Sequence, residues 1–179
     1  RFIARLIGLF FLIPLIYFYL TKKIKKKYMN VASIIFLLII FQGIIGWYMV
    51  KSGLINNTTV NHYRLSIHLT TALFIISTIF WLIRNIISKN DKKFFKFSSN
   101  NLPFLLLILL IFIQIIIGAF VSGLDAGKIY QTWPLMGNSY FPNDLNFENS
   151  NYIFDFDNHS LVQFYHRNLA YIIFFYSLF

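Results

Sequence analysis

Apolar residues in this chain come in long runs rather than in alternation. Five stretches are readable, at roughly residues 2–20, 31–50, 62–83, 102–121 and 160–179. Each is close to the ~20 residues a helix needs to cross the hydrocarbon of a bilayer. None shows the period-two pattern of a barrel strand and interior charges are few, so the pattern predicts spanning helices. Pro14 falls inside the first run, where a spanning helix tolerates it as a kink. The expected fold is an all-α integral membrane protein with five spans.

Composition sharpens this picture. The chain is 58% hydrophobic and 20% aromatic, with only 12% charged residues, against about 25% charged in ordinary soluble domains. So little charge cannot cover the apolar surface of a water-soluble fold. There is no cysteine, which excludes disulfides, thiolate-ligated haem, Cys-ligated iron–sulfur clusters and covalently attached c-type haem. The sequence opens on Arg1 directly before an apolar run and stops inside another at Phe179. It is expected to be a fragment whose end helices are cut, with no signal peptide to remove.

The net charge of +10 would suit a nucleic-acid partner, but its distribution points elsewhere. Lys22, Lys23, Lys25, Lys26 and Lys27 fill one connection, and Arg84, Lys89, Lys92, Lys93 and Lys96 another, against a lone Asp91. The alternate connections hold only Lys51 and Lys128, and the long loop 122–159 carries Asp125, Asp144, Glu148, Asp155 and Asp157. The positive-inside rule therefore puts the lysine-rich turns in the cytoplasm, or the matrix, and the acidic loop outside. That placement is periplasmic in a bacterial inner membrane, with the mitochondrial inner membrane as the eukaryotic equivalent. Anionic lipid is an expected contact and nucleic acid is not.

A weak internal repeat fits the same layout. Gln42-x-x-x-Gly46 leads to Ser52-Gly53-Leu54, and Gln114-x-x-x-Gly118 leads to Ser122-Gly123-Leu124. Each copy ends an outward-running helix and precedes an inward-running helix with a histidine near its outer end. Arg1-Phe-Ile-Ala4 echoes Arg167-Asn-Leu-Ala170, so a histidine matching His166 is expected just before Arg1.

His68 and His166 carry the candidate chemistry. Ionisable residues at membrane depth are costly and usually functional, and neutral imidazole is a common axial ligand of haem iron. A bis-histidine site needs imidazoles from facing helices with space for a flat porphyrin between them. The plainer reading is a histidine hydrogen-bonded to a neighbouring helix. Arg64 lies four residues before His68, on the same helix face, and Arg167 adjoins His166. These arginines, with Arg1, either pair with haem propionates or simply reach for the interface.

In the outer loop, Asp125 is expected to cap a short interfacial helix through its side-chain oxygen, or to hold an arginine or metal. Thr132-Trp133-Pro134-Leu135-Met136 places an indole at headgroup level, either as an ordinary interface residue or as a lid over a haem edge. His62 and His159 are expected in water as non-ligands. Gln42 and Gln114 are expected to hydrogen-bond between helices.

Several motifs together resemble the haem A synthase family, over nearly the whole chain. They are Gly123-Leu-Asp-Ala-Gly127 followed by Thr132-Trp-Pro-Leu-Met136, Gln163-Phe-Tyr-His-Arg167, and Val50-Lys-Ser-Gly-Leu54 with Tyr63-Arg-Leu-Ser-Ile-His-Leu69. They look most like the branch shared by alphaproteobacteria and mitochondria. The resemblance implies eight transmembrane helices in two pseudo-symmetric four-helix bundles, each able to hold a haem between two histidines. This chain would cover helices two to six. Residues 1–96 would belong to the amino-terminal bundle, and 97–179 to the carboxy-terminal one. His68 and His166 would each be a ligand of one bundle. The partner ligands and an acidic catalytic residue upstream of Arg1 would lie outside the sequence, leaving the fragment alone inactive.

The implied reaction oxidises the C8 methyl of haem O to the formyl group of haem A, by successive hydroxylations and loss of water, for cytochrome oxidase assembly. A haem b would pass electrons. Implied partners are haem O synthase, cytochrome oxidase assembly factors, a ferredoxin-like or other electron donor, and a second copy of the chain. Two other readings remain open. One is a di-haem cytochrome b-type electron carrier without oxygenase activity, and the other a transporter or assembly scaffold with no cofactor.

Overall fold

The computed structural model describes residues 2–53, 60–88, 93–145 and 153–178. Arg1 lies outside them, as do Leu54, Lys89, Asp91, Lys92 and Glu148. Helices occupy all five predicted stretches: α1 Phe2–Thr21, α2 Lys26–Gly53, α3 His62–Ser88, α4 Leu102–Gly123 and α5 His159–Ser177. Short 3-10 turns stand at Ser99–Asn101 and Ala126–Lys128. α2 begins inside the lysine cluster because lysine is a good helix former whose stem can lie along apolar surface while the ammonium reaches water.

Among the described residues, Lys26–Lys51, His62–Ser88 and Ser99–Gly123 are helical segments long and apolar enough to cross a membrane. The apolar part of α1, Leu6–Thr21, is shorter, and α5 is apolar only in its second half. Large apolar side chains on the helices face outward, among them Phe10 (71% exposed), Ile87 (76%) and Phe104 (68%). In water each would forgo roughly 1.5–3 kcal/mol of burial. In hydrocarbon that penalty disappears, and the helices need only a modest internal core.

The chain forms two compact units, residues 1–50 with 71–96, and residues 51–70 with 97–179. In the first, Tyr28 and Ile35 of α2 and Ile75 and Leu82 of α3 make the buried core. Each pair is seven residues apart, two turns along one helix face. Phe11 of α1 packs on this core and stacks on Phe36 with ring centroids 6.4 Å apart. Lys22 closes α1 in the left-handed conformation (φ 50°), a common way to end a helix.

The second unit positions the site. α4 packs along α5, with Ala119, Phe120, Leu161 and Val162 buried. Asn158 caps α5, its side chain accepting from the Leu161 amide at 3.1 Å and so satisfying one of the free N–H groups of the first turn. At the other end of α4, Ala119 and Gly123 form a small-residue pair one turn apart, which permits close helix approach. The head of α3 uses it. A Cβ on Gly123 would stand 2.6 Å from the His62 Cβ and 2.7 Å from its Cα.

This contact corrects the expectation for His62. Rather than facing water, it is 4% exposed, edge-on to Phe120 with centroids 5.3 Å apart, and 3.4 Å from Asp157. Its burial depends on the missing side chain of Gly123, a contact between residues far apart in sequence. His159 is exposed as expected.

Candidate functional site

α5 carries two polar faces in its N-terminal half. On one, His166 turns towards α4, where Gln114 and Gly118 lie one turn apart on the same side. A Cβ on Gly118 would stand 3.1 Å from the imidazole Cε1, so glycine is what lets the ring approach the α4 backbone. Gln114 donates through Nε2 to the His166 carbonyl at 3.1 Å, and the same nitrogen lies 3.5 Å from the imidazole Nε2. This is the interhelical bond expected of Gln114. The His166 Nδ1 and the Gln114 Oε1 are buried, and neither has a hydrogen-bond partner among the described residues.

The other face of α5 holds the loop that follows α4. Ser160, Gln163 and Arg167 repeat at i, i+3 and i+7, one stripe of the helix. Gln163 is 4% exposed and brackets the backbone of Tyr130. Its Nε2 donates to the Tyr130 carbonyl at 2.9 Å, and its Oε1 accepts from the Tyr130 amide at 3.3 Å. Arg167 donates from Nη1 to the carbonyls of Thr132 (2.8 Å) and Leu135 (3.3 Å), and from Nη2 to that of Tyr130 (2.6 Å). Asp144 accepts from the Tyr130 hydroxyl at 2.7 Å and from Ser160 Oγ at 2.6 Å.

Arg167 therefore spends both terminal nitrogens on loop carbonyls, a role that neither sequence reading of it included. Among the described residues its Nε–H and one N–H of Nη2 are not used by these bonds and can face an anion. Gln163, Ser160, Tyr130 and Asp144 were not singled out as site residues from the sequence. The signal that could have found them is the polar stripe 160, 163, 167 on a helix whose second half is apolar.

Within the loop, Thr132 Oγ1 donates to the Leu135 carbonyl at 2.9 Å and accepts from the Gly137 amide at 2.9 Å. Gly137 has φ +81°, a conformation that favours glycine. It reverses the chain so that the Met136 amide reaches the Ser139 carbonyl at 2.8 Å. Met136 is buried at the turn, and the Trp133–Pro134 peptide is cis. Trp133 itself is 74% exposed.

The capping role expected of Asp125 is corrected. It stands at the N-cap position of the 3-10 turn, but its side chain makes no capping hydrogen bond. Its backbone is left-handed (φ 55°), whereas a capping side chain needs the extended conformation to fold back on the helix. The carboxylate instead pairs with Lys128 at 2.8 Å.

On α3, Arg64 and His68 are one turn apart. His62 and Ser66 are buried, whereas Arg64 and His68 are each half-exposed. Two residues of helix is roughly 200°, so His68 is turned away from the Ser66 side. Among the described residues, no three His, Cys, Asp or Glu side chains gather as a metal centre. Each histidine offers a single imidazole.

Asp144 gives the loop clamp a pH dependence. Burial alone would raise its pKa, but hydrogen bonds from Ser160 and Tyr130 to the ionised carboxylate outweigh it and hold the pKa below the ordinary value. Burial and the bond to Asp144 raise that of the Tyr130 hydroxyl. A depressed carboxylate stabilises the fold above the unfolded pKa of about 3.9, and that contribution is lost as pH falls through the depressed value. Protease cutting within residues 126–145 is therefore expected to accelerate below about pH 4. An Asp144→Asn variant should be cut faster at neutral pH and lose the acid step.

The chain matches the cytochrome oxidase assembly protein family (COX15-CtaA) over residues 1–179. It belongs to that family. Among the relatives of this family, a heme A synthase of Pelagibacter ubique is 49% identical over 99% of this chain and 52% of its own length. Heme A synthases from the Wolbachia of Brugia malayi and from Bartonella quintana are 42% and 41% identical, over 97% and 99% of this chain. The chain spans about half the length of these relatives. No solved structure gives a significant match.

A haem ligand in this family fold must meet the surroundings described above. His166 fits: its flank on α4 is a glycine rather than a bulky residue, and its Nδ1 is buried without a partner among the described residues. The residues that could hold haem are His166 on α5 and His68 on α3, both in the second unit.

Proposed function

We propose that the protein to which this chain belongs is a haem A synthase. It would oxidise the C8 methyl of haem O to a formyl group, supplying haem A for cytochrome oxidase. The observation that carries this reading beyond family membership is the seat of His166. A histidine is held in the N-terminal half of α5, against a glycine on its neighbour, with one ring nitrogen buried and unpartnered among the described residues.

A bound haem b would supply the redox chemistry. The contribution of this chain is positional. His166 and His68 present imidazoles from two inward-running helices, Gln163 and Arg167 fix the loop beside one of them, and the arginines add positive charge near the outer end of each. We place the five helices as spans, within two pseudo-symmetric bundles that continue beyond this chain. The lysine-rich turns face the cytoplasm and the acidic loop the periplasm. Haem O synthase, assembly factors and a ferredoxin-like or other electron donor are the partners this reaction requires.

The test is to co-express the full-length protein with a haem O synthase and analyse the extracted haems. Haem A is the expected product. Accumulation of only haem B and haem O, with a Soret band on the purified protein, would point instead to a di-haem electron carrier. No Soret band at all would favour a cofactor-free scaffold or transporter.

A further inference from the structure

The lysine-rich end of the first unit carries a cavity of about 210 Å³ among α1, α2 and α3. Phe10 and Phe18 of α1, Ile24 of the turn, Tyr28 and Ala32 of α2 and Leu82 of α3 are among its walls. Phe10 is also 71% exposed, so the cavity reaches the outer surface of the helices. Each helix contributes the part nearest the turn: the later part of α1, the first two turns of α2 and the last two of α3. No charged side chain lines it among the described residues. Ala32 is the smallest of the six and leaves room opposite the bulkier walls.

The lysines stand at this same end. The Lys27 ammonium lies 5.9 Å from the ring centroid of Tyr28, a residue of the cavity wall. Lys23 donates to the Tyr17 hydroxyl at 2.9 Å, and Ile24 enters the wall between Lys23 and Lys25. α1, the turn, α2 and α3 contain no Asp or Glu, so no acid of these elements neutralises the five lysines of the turn.

An apolar cavity beside unneutralised ammonium groups suits a ligand with an apolar chain and an anionic head. Water gains little from an apolar space, whereas an acyl chain restores the dispersion contacts that the walls lack. Basic pockets between transmembrane helices bind anionic lipid headgroups. A soluble anion would use the lysines but not the cavity, and an uncharged lipid the reverse.

We propose that this end of the first unit is a binding site for an anionic phospholipid. One acyl chain enters the cavity between α1 and α2, and the headgroup phosphate rests on Lys25 and Lys27. The site is independent of the haem reading.

The test uses purified full-length protein, delipidated in detergent, with bound phosphatidylglycerol and phosphatidylcholine counted by native mass spectrometry. Phosphatidylglycerol is expected to bind more tightly by over about tenfold. Lys25→Gln/Lys27→Gln leaves three lysines in the turn to hold the topology. It should weaken phosphatidylglycerol about 25-fold, roughly fivefold per lysine, and leave phosphatidylcholine unchanged. Ala32→Phe fills the cavity without altering charge and should displace the lipid.

Equal binding of the two lipids would overturn the proposal, because the headgroup then plays no part. Full displacement of phosphatidylglycerol by inorganic phosphate would do the same for the acyl chain. Undiminished lipid binding in Ala32→Phe, with native helical content by circular dichroism, also overturns it. That result would leave general attraction to the lysines, or a segment preceding Arg1 in the cavity. If phenylalanine prevents folding, Ala32→Leu decides: reduced lipid supports the site, and native binding ends it.

Discussion

If the proposed function holds, full-length protein carrying His166→Ala is expected to lose a bound haem and to make essentially no haem A. Outer-shell partners of a metal ligand typically cost 10–100-fold in affinity, so removing the ligand itself should cost more than about 100-fold. The substitution leaves space rather than a clash, because the ring lies against Gly118, and Gln114 is the next nearest group. External imidazole should therefore enter the vacated position and restore part of the haem spectrum. A purely structural histidine, bonded only to its neighbouring helix, would show neither the loss nor the rescue. Retention of the full haem complement in this variant would remove the central support for the proposed function.

Gly123→Ala is expected to give the largest loss of stability from a single added methyl group. The new Cβ would fall 2.6 Å and 2.7 Å from the Cβ and Cα of His62, distances that real Cβ atoms do not reach. One of the contacted atoms is backbone, so no side-chain rotation relieves the overlap, and the head of α3 must move off α4. Overpacking of this kind costs typically about 1–3 kcal/mol, which exceeds the ~1 kcal/mol at most that alanine gains over glycine in a helix. Displacing α3 would also uncover His62 and weaken its approach to Asp157.

Gly127→Ala is the control, since its Cβ would meet only the Val121 Cγ1 at 3.7 Å, an ordinary contact. Thermal unfolding in detergent, followed on the full-length protein, should show a lowered midpoint for Gly123→Ala and little change for Gly127→Ala. Equal midpoints would mean that the α3–α4 crossing is looser than described.

Much of this was legible in the sequence because it follows from local chemistry. Runs of apolar residues about as long as a bilayer is thick announce helices, and all five are helical. The Gln114-x-x-x-Gly118 spacing already places both residues on one face of α4. The loop motifs and the Gln163-Phe-Tyr-His-Arg167 string were enough to suggest the family that the match over residues 1–179 establishes. Helix boundaries were less accurate, because lysine and serine at the ends of α2 and α3 continue a helix as readily as they leave it.

What the sequence by itself determined, then, was the class of fold, the family and the two histidines worth examining. Tertiary structure alone decided the partners. Arg167 serves the loop because carbonyls of residues 130, 132 and 135 come within reach of its terminal nitrogens. His62 is buried because Gly123, far away in the chain, leaves it space. Asp125 does not cap because its backbone is left-handed. Periodicity and composition describe how each segment meets its solvent, but a hydrogen bond or a close crossing depends on two segments arriving together, and no single segment encodes that.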